Sequence, residues 1–185
     1  NGGPGAPAFA FVAKRHHAAL EQPLSGWMGH ATPFAFRDDY VPAPGIERLL
    51  TGTPPILGLA ALEEGVRLIA EIGIERLSAK SRALSEFLRA TTAQVAPDLP
   101  CISPEGSTPR GSQLSYRHPE AYAIAQALIA RGVIPDFREP DVLRLGLAPA
   151  YLRFEDCWHA AQALGEVLVS GEWDRAEFRA RAAVT

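Results

Sequence analysis

The chain has 185 residues, 21 acidic against 18 basic for a formal net charge of −3, and is 47% apolar and 21% charged, which suits a soluble protein with a real core. A nucleic-acid partner would need a dense basic patch, and only Lys14-Arg15 clusters. No apolar run approaches the roughly 18–20 residues that cross a bilayer and no signal peptide opens the chain, so a cytoplasmic protein without a membrane partner is expected.

Cys101 and Cys157 stand far apart without a CxxC neighbour, which argues against a disulfide framework or a metal site and for two free thiols. Only two lysines, Lys14 and Lys80, accompany 16 arginines. The chain opens at Asn1 inside Gly2-Gly3-Pro4-Gly5-Ala6-Pro7, a segment that cannot be regular structure, and further residues upstream are expected. Ala8 to Ala13 alternates large and small apolar residues, the pattern of a buried strand. Lys14 to His17 reads as a solvated turn, because adjacent histidines rarely share a metal.

From Leu20 to Pro44 the pattern is loop-like, with four prolines and the aromatics Trp27, Phe34, Phe36 and Tyr40. Such a long irregular stretch is often functional; alternatively Phe34 and Phe36 alternate as a strand on the core. Thr53 is placed as a helix N-cap with Pro54 at the first helical position. Leu62, Val66 and Ile69 follow at helical spacing, and Gly73 ends that helix. A second helix carries Leu77, Leu84 and Leu88 on one face.

Residues 97–111 form a Pro-, Gly- and Ser-rich connection. Gln113 to Tyr116 reads as a strand, Ala121 to Ala130 as a helix closed by Gly132, and Val133-Ile134 and Val142 to Leu147 as strands with Glu139-Pro140-Asp141 between them. An amphipathic helix spans Phe154 to Val169. Helices alternating with short strands suggest a small α/β or α+β domain.

Three sets of residues carry chemistry. The Thr53 hydroxyl at a helix start suits a phosphate, or is an ordinary cap. Arg144 shares a strand face with Gly146, opposite Leu143, Leu145 and Leu147; its guanidinium can fork onto a carboxylate, or is simply exposed. Arg138 and Asp136 could pair with each other. Trp27, Met28 and His30, in a glycine-flanked loop, can grip a flat ligand, or Trp27 anchors the loop. No Ser/His/Asp order and no dinucleotide fingerprint is present.

Together, Asn1 to Pro7, Leu24-Ser25-Gly26-Trp27-Met28-Gly29-His30, Gly52-Thr53-Pro54-Pro55 and the run from Gly132 through Arg144 resemble the C-terminal part of bacterial kynureninases, and the resemblance covers essentially the whole chain. It implies an α/β fold: the C-terminal part of a fold-type-I pyridoxal 5′-phosphate enzyme, with residues 1–60 ending the large cofactor domain and 61–185 forming linking helices and a small C-terminal domain. It implies hydrolysis of L-kynurenine to anthranilate and L-alanine, in tryptophan catabolism. By position, Trp27 and Thr53 match ligands of the cofactor phosphate, and the threonine's reach toward a neighbouring subunit implies a homodimer. Arg144 matches the residue that holds the substrate α-carboxylate, and His30 one that lines the site near the aryl ring. Met28 stands where relatives can carry Phe.

The family's Schiff-base lysine matches neither Lys14 nor Lys80 and is expected just upstream of Asn1. Thr53, where animal relatives carry Asn, leans toward plain kynurenine over its 3-hydroxy derivative. Two other readings stay open. A cysteine desulfurase would need a reactive loop thiol such as Cys101, and a non-catalytic assembly domain would need no lysine.

Overall fold

Two helices, α1 (Ile56–Ile72) and α2 (Ile74–Val95), follow one another with a single residue between them. That residue is Gly73, whose φ of 86° is costly for any side chain with a Cβ, so the first helix stops where the sequence predicts. The computed structural model describes residues 5–106 and 110–181, and the chain divides into two units, Asn1–Glu71 and Ile72–Thr185. The opening residues 1–4 of the glycine-rich segment lie outside the described residues, as do 107–109 of the connection before residue 111.

The first unit is built from short 3-10 turns ahead of α1: Lys14–His16, Trp27–Gly29, Pro33–Ala35 and Ile46–Leu49. The long irregular stretch is therefore present as expected, but the strand over Ala8 to Ala13 is not. Phe9 and Phe11 are 81% and 89% exposed, and no described residue forms a β-ladder with that backbone. Alternating apolar residues make a strand only when a neighbour accepts their hydrogen bonds. Phe34 and Phe36 form no strand either, because Pro33 opens a 3-10 turn and Phe36 closes it in the left-handed region at φ 47°. The helix expected to start at Pro54 starts at Ile56 instead. Its first intrahelical bond runs from Leu59 N–H to the Pro55 carbonyl, which makes Pro55 the capping position. Two successive prolines explain the shift, since each ring disfavours helical backbone in the residue before it.

The second unit holds the core. Leu77, Leu84 and Leu88 lie along the buried face of α2, as their spacing requires. β1 (Gln113–Arg117), β2 (Asp136–Arg138) and β3 (Val142–Gly146) form an antiparallel sheet in the order β1-β3-β2. Strand alternation sends Leu114, Tyr116, Leu143 and Leu145 to one face, where they join Ile124 and Leu128 of α3 (Ala121–Ala130) and Leu164 and Val167 of α4 (Phe154–Ser170). Each such side chain stabilises the unit by about 2 kcal/mol relative to exposure. The other face carries Ser115, Arg144 and Asp136.

The strand placed at Val133-Ile134 begins only at Asp136. Val133 N–H closes the end of α3 by donating to the Leu128 carbonyl at 3.0 Å, past Gly132 at φ 81°, so it is not available to a ladder. α4 opens with Asp156 accepting the Arg153 backbone N–H at 2.7 Å, and the Arg153 guanidinium donates to the same carboxylate. After α4, Arg179 stacks on Trp173 at 5.3 Å, and Arg181 lies over Tyr122 and Phe137 at 5.5 and 5.7 Å. The α/β class expected for this part of the chain is what the second unit shows.

Candidate active site

In the first unit, the Trp27 turn is seated directly on the segment that leads to Thr53. A Cβ on Gly26 would lie 2.0 Å from the Thr51 carbonyl oxygen, and one on Gly29 would lie 2.4 Å from that of Leu50. Only bare backbone fits at both places. The Met28 N–H donates to the Thr51 carbonyl at 3.4 Å, and the Tyr40 hydroxyl donates to the Gly29 carbonyl at 3.1 Å. Arg48 adds a brace, donating to the carbonyls of Ala43 and Leu20, both at 2.9 Å. Two motifs more than twenty residues apart in sequence are thus fixed to each other by backbone contact.

The side chains on this frame differ in what is left to them. Trp27 is 45% exposed and meets Phe34 edge-on at 5.5 Å; its indole N–H makes no hydrogen bond among the described residues. Thr53 is exposed, and because the helix is capped two residues later its hydroxyl is also without a partner among the described residues. The amides of Ile56, Leu57 and Gly58 precede the first intrahelical bond of α1. Pro7 runs over this first turn, 3.1 Å from where a Gly58 Cβ would stand.

His30 is different. It is buried, its Nδ1 accepts the Thr32 N–H at 2.8 Å, and Nε2 therefore carries the proton and donates to the Asp39 carbonyl at 3.1 Å. Both ring nitrogens are engaged with the loop itself, so His30 has only its ring to offer a ligand. Met28 is half-buried beside it.

Arg144 belongs to the second unit. It stands in register between Ser115 on β1 and Asp136 on β2, and its Nη2 donates to Asp136 Oδ2. The side chain is 24% exposed, and its Nε is buried without a hydrogen-bond partner among the described residues. Arg138 lies 3.2 Å from the same Asp136 oxygen, so the pairing read from the sequence is present. The Arg144 pairing was missed there; the signal for it is strand register, which a single sequence does not supply.

Cys101 sits in an isolated bridge with Tyr116, and its sulfur accepts an N–H from Arg89 at 3.1 Å. Burial pushes the Tyr116 hydroxyl up to about 12 and raises the Cys157 thiol. Both cysteines are free. No helix among the described residues is long and apolar enough to cross a membrane.

The family model of the kynureninase C-terminal domain matches residues 77–164. That segment is thus similar to the C-terminal domain of kynureninases. The likeness to kynureninases extends beyond it: the chain is 46% identical to kynureninases of Burkholderia mallei strain SAVP1 and Burkholderia pseudomallei strain K96243, and 43% identical to that of Pseudomonas fluorescens. Each comparison covers the whole of this chain and 45% of the relative. The matched segment includes most of α2, the three-stranded sheet, α3 and the first part of α4, with Arg144 and Asp136 inside it. Trp27 and Thr53 lie outside the kynureninase domain match, within the length shared with the three relatives.

The residues fit a phosphorylated cofactor. A phosphate needs donors that no protein acceptor has claimed, and among the described residues the Trp27 N–H, the Thr53 hydroxyl and the first amides of α1 meet that condition.

Proposed function

We propose that this chain is part of a cytoplasmic, homodimeric kynureninase that binds pyridoxal 5′-phosphate and hydrolyses the Cβ–Cγ bond of L-kynurenine to give anthranilate and L-alanine. The observation that carries this reading is similarity to kynureninases along all 185 residues. Residues 1–60 are assigned to the large cofactor domain and 61–185 to the linking helices and the small domain.

Trp27 and Thr53 would hold the cofactor phosphate through the indole N–H and the hydroxyl. When bound, pyridoxal phosphate supplies an acceptor for the electron pair released at the substrate's Cα. The lysine that anchors it is assigned to sequence outside this chain, since Lys14 lies in an exposed turn and Lys80 on α2. Arg144 forks onto the α-carboxylate and fixes the direction of the Cα–H bond. Met28 and the ring of His30 wall the aryl group, with His30 held still by Asp39 and Thr32. Water entering the side-chain ketone leaves as part of the anthranilate carboxylate, and the alanine side chain takes up a proton at Cβ.

The test uses the complete protein loaded with cofactor. Conversion of L-kynurenine to equimolar anthranilate and alanine is expected, and 3-hydroxykynurenine should be turned over less efficiently. Arg144→Lys should lower kcat/KM about a hundred-fold, because a point charge cannot reproduce two parallel hydrogen bonds. A near-normal value in that variant would overturn the assignment of Arg144, and absence of anthranilate from the wild type would overturn the function.

A further inference from the structure

Asp136 is a carboxylate between two guanidiniums on the β2–β3 face. Its Oδ2 accepts from Arg144 and lies 3.2 Å from Arg138 Nη2. The register sets Asp136 directly opposite Arg144, while Arg138, two residues along β2, shares its side of the strand. The neighbours of Arg144 from β1 are neutral: Ser115 stands opposite it, with the Gln113 amide 3.5 Å from the Ser115 hydroxyl. The nearest further cation on that strand, Arg117, already faces Asp141 at 3.4 Å. Two positive charges against one negative leave the cluster one anion short of neutral. The Arg144 Nε is at the same time a buried donor without a hydrogen-bond partner among the described residues.

We propose that Asp136 is a positioning residue for the substrate carboxylate, a role that rests on the reading of Arg144 given above. Asp136 holds one nitrogen of Arg144, Arg138 holds Asp136, and the remaining donors of Arg144 are turned to an incoming monocarboxylate. That carboxylate completes a set of two anions and two cations. Arg138 keeps Asp136 from following the substrate or competing with it for the fork. The ligand class this selects is an α-amino acid with a single carboxylate near Arg144; a second carboxylate there would give the cluster an excess of negative charge.

The complete cofactor-loaded protein carries the test, with Asp136→Ala, Asp136→Asn and Arg138→Gln. Melting temperatures confirm that each variant is folded. Asp136→Ala should raise KM for L-kynurenine about ten-fold with kcat within about two-fold, and Asp136→Asn, which keeps an acceptor oxygen, should lose less. Calorimetric binding of L-alanine should weaken in parallel. Inhibition by the decarboxylated amine of kynurenine should not change, since it offers Arg144 nothing to hold. Combining Asp136→Ala with Arg144→Lys should cost little beyond Arg144→Lys alone. Equal losses for the acid and the amine, a fall in kcat alone, or additive effects in the double variant would overturn the positioning role. A wild type that makes no anthranilate would instead overturn the function, whatever Asp136→Ala does.

Discussion

Gly26 and Thr51 approach so closely that a methyl group on the glycine would stand 2.0 Å from the Thr51 carbonyl oxygen. The turn bearing Trp27 and the segment bearing Thr53 keep their relation because nothing larger than hydrogen separates them. Gly26→Ala should therefore push the two apart. About a ten-fold or greater loss of affinity for pyridoxal phosphate is expected in the complete protein, measured by equilibrium dialysis, with secondary structure retained by circular dichroism. Unchanged affinity would show that the two stations do not share a ligand.

Thr53 and Trp27 should contribute separately to that affinity. A hydrogen bond to a charged group is worth about 1.5–3 kcal/mol, so Thr53→Ala should weaken cofactor binding by roughly ten- to a hundred-fold. Trp27→Phe keeps an aromatic ring near Phe34 while removing the N–H, and a loss of similar size is expected. Dissociation constants for inorganic phosphate in the same variants should move in the same direction, which separates the phosphate contact from any effect on the pyridine ring.

Gly165 of α4 faces Val95 of α2, where an added Cβ would meet the Val95 Cβ at 2.9 Å and the Val95 carbonyl oxygen at 3.1 Å. Replacing glycine by alanine inside a helix gains about 1 kcal/mol of intrinsic propensity. Forcing a methyl against a backbone-proximal atom costs about 1–3 kcal/mol. The steric effect wins, and Gly165→Ala should lower the melting temperature by a few degrees. A rise would mean that α2 and α4 slide apart without penalty.

His118 gives the second unit a pH dependence. Burial lowers its pKa below the ordinary imidazole value of 6.5, against a smaller opposing effect of Glu120; its Nδ1 accepts the Glu120 N–H at 3.0 Å, which needs the neutral ring. The unfolded chain takes up the proton first as pH falls, so stability is unaffected well above 6.5 and declines from there down to the lower folded value. His118→Gln removes this titration and should flatten the fall of the urea midpoint between pH 7 and pH 5. Identical slopes in the two proteins would contradict the assignment. Asp156 acts in a separate range: Arg153 holds its carboxyl at about 2, so that contribution disappears only as pH drops from about 4 toward 2.

The second unit could be read from sequence because its elements satisfy themselves. α2 and α4 announce their buried faces by spacing, and β3 by strict alternation around Leu143 and Leu145. The first unit could not, since the alternation at Phe9 and Phe11 points to a strand with which no described residue forms a β-ladder. The start of α1 moved because a pair of prolines delays a helix that Thr53 otherwise resembles a cap for. In the site, the residue types at Trp27, Thr53 and Arg144 were visible, but their partners were not. That Asp136 opposes Arg144, and that Asp39 and Thr32 occupy both nitrogens of His30, depend on register and loop closure.

α1 is 17 residues long and buries none of them; Ile56, Leu57, Leu59, Val66 and Leu68 all face outward. Most of a helix's stability in a protein comes from packing its apolar face against a neighbour. Its amides should consequently trade hydrogen for deuterium quickly whenever those side chains are bare and slowly whenever something lies over them, which makes residues 56–72 a built-in gauge of assembly.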